Sequence, residues 1–319
     1  MTATTPTVLI TGGTGFAGSH LVEHLLELGF TNIHVTQYSD KPGHLANLLP
    51  ADHFHQLNLT DQAATLELLE RLKPDHIYHL ASLAAVGSSF ENTKQVLDNN
   101  IQLQLNLLAA VKDVVSAAKV LIVGSAMEYD FFQTSEGVAT ETTPLGPVSP
   151  YAVSKVMQDL LGYSYFRSYG LNIIRVRPFN HLGERQSPDF VVSAFAKQIA
   201  AIEKQQQEKL MVGNLEAVRD FTDVKDIVKA YALLMDQGQV GEVYNLGSGR
   251  GYSIQEVLEL LIEQSTVPIT IEKDPERMRP ADIPATIADI SKISQLGWQP
   301  AIPLAETLTR VLAYWREQL

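Results

Sequence analysis

Tyr151 and Lys155 stand four residues apart, directly behind Ser149-Pro150. That spacing puts two side chains on one face at the start of a helix. A free tyrosine, with a pKa of about 10, exchanges its proton poorly at neutral pH, and a neighbouring ammonium lowers that value by stabilising the phenolate. The pair thereby becomes a general acid and base. Ser125 follows the apolar run Val120 to Val123 and offers a hydroxyl to orient a substrate oxygen. It sits at the C-terminal end of a strand, where open α/β sheets place their sites.

A second motif lies near the N-terminus, where residues 7 to 18 read T-V-L-I-T-G-G-T-G-F-A-G. An apolar strand runs into Gly12, Gly15 and Gly18 and then into a helix. Such glycines permit a tight turn and close approach of the backbone to a pyrophosphate, and the helix start offers free amides. Thr14, Phe16 and Ala17 complete this dinucleotide turn. Together with Tyr151 and Lys155 it predicts hydride and proton chemistry with a nicotinamide cofactor, on a substrate held by the C-terminal part. The second strand ends Val35-Thr36-Gln37-Tyr38, without the carboxylate that grips the ribose hydroxyls of NAD. Asp40 and Lys41 are near enough to reach the ribose, but both precede Pro42-Gly43 and read rather as turn residues. The cofactor expected is NADP(H), with NAD(H) as the alternative, and Thr36 is placed beside it.

The elements that must position these groups are legible as an alternation. Short β-branched runs at Val8 to Ile10, Ile33 to Thr36, Phe54 to Leu57, Ile77 to Leu80, Val120 to Val123 and Ile173 to Val176 alternate with helical periodicity over 16–28, 61–72, 93–117 and 151–168. That rhythm predicts an α/β fold, a doubly wound parallel sheet of the Rossmann type. Beyond Pro178 a helix is expected over Phe190 to Glu208, with glutamine-rich Glu203 to Lys209 as its solvated face, and then a strand at Leu210 to Val212. A helix over Val224 to Met235 and a strand at Val243 to Leu246 return to the main sheet. Ser253 and Glu256 form a capping box, and a last helix starts near Leu304. Residues 1–178 with about 222–248 are expected to form the dinucleotide-binding domain. Residues 179–221 and 249–319 are expected to form a smaller C-terminal α/β substrate lobe.

Composition narrows the field further. The 319 residues are 45% hydrophobic and 19% charged, as in ordinary globular chains. Twenty-four basic residues against 36 acidic give a net charge of −12, which argues against nucleic acid or an anionic membrane as partner. The absence of cysteine excludes disulfides, thiolate metal sites and a cysteine nucleophile, and fits a reducing cytoplasm. Met1 to Thr7 lacks the features of a signal peptide, and Lys119 interrupts the most apolar run. His53 and His55 alternate on a strand and His76 and His79 face opposite sides of another, so no metal is expected. His181 reads either as lining a sugar pocket or as a capped loop residue.

The series T-G-G-T-G-F-A-G, H-L-A at 79–81, Asn100, G-S-A-M-E-Y from 124, S-P-Y-A-V-S-K ending at 155 and R-P-F-N-H from 177 resembles the extended short-chain dehydrogenases/reductases, in the NAD-dependent epimerase/dehydratase family that modifies nucleotide sugars. The likeness runs over nearly the whole chain. Within that family, F-N-H-L-G-E-R-Q-S-P, V-G-N-L-E-A-V-R-D-F and R-P-A-D-I-P are similar to GDP-mannose 4,6-dehydratases and, more closely, to GDP-4-keto-6-deoxymannose reductases that form GDP-rhamnose. The resemblance implies that Leu80, Ala81, Asn100 and Pro178 flank the cofactor and that Lys155 also holds the nicotinamide ribose. It implies a GDP-linked sugar bound by Ser125, Asn180, Val191, Lys197, Arg219, Arg279 and Asp282, and a homodimer. Arginines suit bidentate phosphate contacts; the lesser alternatives are Arg219 as an ion pair with Asp220 and Lys197 as a solvated helix residue.

Dehydratases of the family carry two further proton-transfer groups after the catalytic hydroxyl residue, since eliminating water takes both a base and an acid. Counting back from Tyr129, those positions are Ala126 and Met127, which move no protons. Glu128 follows one residue later and reads as a surface carboxylate unless the loop shifts register. This favours reduction of a preformed 4-keto sugar, with hydride reaching C4 while Tyr151 protonates the oxygen. Dehydration, 4-epimerisation on retained NAD and, remotely, a non-catalytic dinucleotide sensor are the alternatives.

Overall fold

The computed structural model describes residues 5–38, 43–84, 89–277 and 283–319. In chain order the first half gives β1 (Val8–Thr11), α1 (Phe16–Glu27), β2 (Ile33–Gln37), β3 (Phe54–Gln56), α2 (Gln62–Leu72), β4 (His76–His79), α3 (Thr93–Val114), β5 (Lys119–Val123), β6 (Val138–Ala139), α4 (Pro150–Tyr169) and β7 (Asn172–Pro178). The second half gives β8 (Asn180–Leu182), α5 (Val191–Glu203), β9 (Leu210–Val212), β10 (Val218–Asp223), α6 (Val224–Gln237), β11 (Val243–Leu246), β12 (Gly251–Ser253), α7 (Ile254–Ile262), β13 (Ile271–Lys273), β14 (Ala285–Ala288), α8 (Ser291–Ser294) and α9 (Leu304–Gln318).

Seven strands form one sheet in the order β11-β7-β5-β4-β1-β2-β3, and the pairs from β3 through to β7 are parallel. Strand order reverses at β1, which lies between β2 and β4, and ligands of doubly wound sheets bind at the carboxyl ends of the strands there. The doubly wound fold expected from the alternation is therefore the fold observed. Leu9, Ile77, Val120, Ile122 and Ile173 pack with Leu68, Leu69, Leu107, Leu108 and Val111 into one buried core. Helix boundaries follow local chemistry. Asp61 caps α2 by accepting from the Ala64 amide at 3.1 Å. Ser149 caps α4 likewise through Ala152, with Pro150 in its first turn and Gly170 in the left-handed conformation after its end.

The chain divides into two compact units, one of 1–128, 147–178 and 228–244, the other of 129–146, 179–227 and 245–319. Residues 129–146, which the sequence reading left in the first domain, lie in the second unit because β6 pairs with β14 there. That unit carries a sheet ordered β12-β10-β14-β6 with β8 beside β10, and a separate β13-β9 pair. Its core joins α5, α7 and α9 through Phe195, Ile199, Val257, Leu261, Leu308 and Val311. The capping box of Ser253 and Glu256 is present.

One helix is shorter than expected. α5 stops at Glu203 rather than Glu208, and Gln205 takes a positive φ of 59°. The Gln207 side chain donates to Gln198 Oε1 at 2.8 Å, so the glutamine-rich segment folds back over the helix as an exposed turn. His53 also departs from expectation, lying in the single turn Ala51–His53 ahead of β3. Its ring lies against His34, tilted by 30° with centroids 4.3 Å apart. Among the described residues no helix is long and apolar enough to cross a membrane, and no group of three or more His, Asp or Glu is arranged to hold a metal ion.

Candidate active site

The glycine turn connects β1 to α1 in the first unit. Gly12 has a φ of 68° and lies so close to the next crossover that a Cβ there would stand 3.0 Å from Ala81 Cα. The Gly12 amide donates to Thr36 Oγ1 at 3.1 Å and the Gly13 amide to the Thr36 carbonyl at 3.2 Å. Thr36 is buried, and its hydroxyl supports the turn from beneath. Across the reversal point, Ala81 donates its amide to Thr11 Oγ1 at 3.2 Å, and the same hydroxyl lies 2.8 Å from His79 Nδ1. Burial holds the His79 pKa down at about 3, and the Lys155 charge lowers it further, so the imidazole is neutral.

The turn fits an anionic dinucleotide on a physical criterion. α1 follows Gly15 at its N-cap, with no side-chain cap and no acidic residue in its first turn. The positive dipole end of such a helix suits a phosphate.

The candidate acid–base residues converge in the same unit. Tyr151, Lys155 and Asp159 follow one another at four-residue steps along α4 and are all buried. Lys155 Nζ lies 5.9 Å from the Tyr151 ring centroid and donates to the Val123 carbonyl at 2.9 Å. Ser125, just beyond β5, is close enough to the Tyr151 phenol to pull its pKa down. Burial outweighs that pull and pushes the Tyr151 pKa up to about 12. Burial also brings Lys155 down to about 8, with Glu128 opposing. The structure thus brings Ser125, Tyr151 and Lys155 together as the sequence spacing requires.

Glu128 corrects the reading as a surface carboxylate, because it has no exposed surface. Oε1 accepts the Ser125 amide at 2.7 Å and Oε2 accepts Arg177 Nε at 2.9 Å. Arg177 also bonds Asp159, whose other oxygen accepts Arg175 Nη1 at 3.0 Å. Burial and the Asp159 charge raise the Glu128 pKa, while Arg177 and the Ser125 amide pull it back. Sequence reasoning missed this cluster, although one signal was present. Arg175 and Arg177 share a face of an otherwise apolar strand, and buried guanidinium groups require buried carboxylates.

The remaining expected residues are distributed as follows. Asn100 is fully buried, accepts the Leu83 amide at 2.8 Å and donates to the Leu83 carbonyl and Ser154 Oγ. It thereby ties the segment after Leu80 and Ala81 to α4. Pro178 ends β7. In the second unit Asn180 is exposed on β8 and Val191 opens α5. Lys197 Nζ sits 5.3 Å over the Trp315 ring. Arg219 donates to the Val218 and Ile283 carbonyls at 2.8 Å. Asp220 accepts from the Ser248, Gly249 and Ala288 amides, a role the ion-pair reading of Arg219 did not foresee. His181 Nδ1 lies 3.0 Å from the Phe179 carbonyl. Asp40, Lys41, Arg279 and Asp282 lie outside the described residues.

The family described as GDP-mannose 4,6 dehydratase matches residues 9–311. The chain is 32% identical to a GDP-6-deoxy-D-mannose reductase of Pseudomonas aeruginosa, over 99% of each chain. A solved structure of RMD from Pseudomonas aeruginosa complexed with NADPH superposes with a TM-score of 0.85 at 30% identity, covering 99% of this chain and 100% of that one. A Thermus thermophilus UDP-glucose 4-epimerase in complex with NAD also gives 0.85, at 27% identity, covering 98% and 100%.

Proposed function

Because the chain belongs to the GDP-mannose 4,6-dehydratase family, we propose that it reduces a nucleotide-linked 4-keto-6-deoxyhexose with NADPH, converting GDP-4-keto-6-deoxy-D-mannose to GDP-D-rhamnose. The observation that carries this reading is the strand end after β5. Ala126 and Met127 have no proton to transfer, and Glu128 is turned inward with both oxygens engaged. Beyond the tyrosine, that strand end offers neither the base nor the acid that elimination of water demands. Ketone reduction needs one proton donor. The reductase named among the relatives and the NADPH in a matching structure support the same choice.

In this mechanism Gly12, Thr14, Gly15, Phe16, Ala17 and Gly18 would hold the cofactor's phosphates, with Leu80 and Ala81 beside it. When bound, NADPH supplies the hydride. Ser125 orients the substrate C4 oxygen by hydrogen bonding, and Tyr151 transfers its phenolic proton to that oxygen. The Lys155 ammonium stabilises the phenolate left behind and would also hold the nicotinamide ribose. The second unit would take the nucleotide diphosphate through Asn180, Val191, Lys197, Arg219 and Arg279, with Asp282 near a ribose. Met157, Leu160 and Tyr163, exposed on α4, support pairing of two copies as a homodimer, and the lack of cysteine fits a cytoplasmic setting.

The test is to supply GDP-4-keto-6-deoxymannose with NADPH and, separately, NADH, and to follow cofactor oxidation. Oxidation of NADPH with formation of GDP-rhamnose is expected. Silence with both cofactors, together with turnover of GDP-mannose, would overturn the reading in favour of dehydration.

A further inference from the structure

We propose that Glu128 is a positioning residue, holding the Ser125 hydroxyl in register with Tyr151 through a buried clasp that joins β5, α4 and β7. The inference rests on the reading of Ser125, Tyr151 and Lys155 as the reacting triad, and goes beyond it by assigning what fixes their mutual geometry.

Ser125 stands on the segment that leaves β5, outside any strand or helix. A segment of this kind is mobile unless tied down. Here both of its backbone hydrogen-bonding groups go to one residue. The Ser125 amide donates to Glu128 Oε1 at 2.7 Å, and its carbonyl accepts the Glu128 amide at 3.2 Å. The Ser125 hydroxyl in turn accepts the Met127 amide at 3.2 Å. The carboxylate that closes this turn is anchored from the far side by Arg177 on β7, and Arg177 reaches Asp159 on α4, one turn beyond Lys155. Asp159 is held again by Arg175, whose second nitrogen donates to the Gly241 carbonyl at 3.0 Å.

The packing leaves the carboxylate little room to move. A Cβ at Gly124 would run into Glu128 Oε1 and stand 3.0 Å from the Val176 carbonyl, so the side chain fills the space that the glycine leaves. A buried pair of this kind contributes little net stability against apolar substitutes but is costly to break singly. Its return here is geometric. The serine that orients the substrate oxygen and the helix that carries the proton donor are attached to the same four charges. Misplacement of a reacting group by about 1 Å can cost on the order of a hundredfold in rate.

The test is a double-mutant cycle on kcat in the full-length protein with Glu128→Gln and Ser125→Ala. It uses whichever of GDP-4-keto-6-deoxymannose or GDP-mannose the wild type turns over. If Glu128 acts through Ser125, Glu128→Gln lowers kcat about tenfold alone and less than about twofold in the Ser125→Ala background, since residues acting as a unit are not additive. KM and NADPH affinity by fluorescence titration stay within about twofold, because the glycine turn is untouched. Equal loss in both backgrounds, or loss appearing only in KM, overturns the proposal while leaving the reductase reading intact. Turnover of neither substrate by the wild type overturns both. If Glu128→Gln yields no folded protein, Arg177→Lys is carried through the same cycle with the same expectations, since it keeps the charge and removes Nε.

Discussion

Gly18, in the first turn of α1, is packed so closely against the glycine turn that a Cβ there would collide with the Gly12 carbonyl oxygen and stand 2.7 Å from the Gly13 Cα. The helix can approach the strand, and present its leading amides, only because that position lacks a side chain. Gly18→Ala is expected to destabilise the protein by about 1–3 kcal/mol through overpacking and to weaken dinucleotide binding further. Thermal unfolding with and without NADPH checks both effects. An unchanged NADPH-induced shift in Tm would count against the turn as the phosphate site.

Removing the phenolic proton should remove the chemistry and little else. Tyr151→Phe keeps the buried ring and is expected to lower kcat by about 10²–10⁴-fold, the usual contribution of a positioned general acid, with NADPH affinity retained. Steady-state kinetics beside a binding titration separate the two. A kcat within about threefold of wild type would exclude Tyr151 as the donor.

Lys155 is expected to set the alkaline limit. Its pKa lies at about 8 because burial disfavours the ammonium, so the charge that supports the phenolate is present below that pH and lost as pH rises through it. The rate of reduction, kcat/KM at saturating NADPH, is therefore expected to fall as pH rises through about 8. A profile flat to about pH 10, the range of an ordinary lysine, would show that the ammonium is not required.

Acid should weaken the fold at a place far in sequence from the triad. His34 Nδ1 and His55 Nε2 lie 3.1 Å apart. Burial first, then the charges of His53 and His55 on one and of Arg71 on the other, lower both to about 4. The unfolded chain protonates its histidines near about 6.5, so between that pH and about 4 it binds more protons than the folded one. Stability conferred by the neutral rings is present above about 6.5 and declines as the pH falls. Tm should therefore drop between about pH 7 and 5, and His34→Gln should reduce the drop. An unchanged drop in that variant would remove the cluster as its cause.

The sheet was legible in the sequence because parallel strands covered on both faces read as apolar runs, as in Val8 to Ile10 of β1 and Val120 to Val123 of β5. The triad was legible because two of its members share one helix at a spacing of four. What the sequence concealed were polar partners distant along the chain. Glu128 looked like a loop carboxylate because its partner, Arg177, is 49 residues away. The glutamine-rich stretch at 204–209 has helix-forming composition, yet α5 ends before it, where Gln205 reverses the chain. Composition registers the propensity of such a segment and not the turn its neighbours impose.

The hydrogen bond from the Gly12 amide to the Thr36 hydroxyl constrains any redesign of cofactor preference. Replacing Thr36 with a carboxylate is the obvious route toward gripping the ribose of NAD. In this chain the new carboxylate would stand in a buried position with the Gly12 amide claiming one of its oxygens, so it would be drawn toward the turn and away from a ribose hydroxyl. A specificity switch is therefore better sought at neighbouring positions.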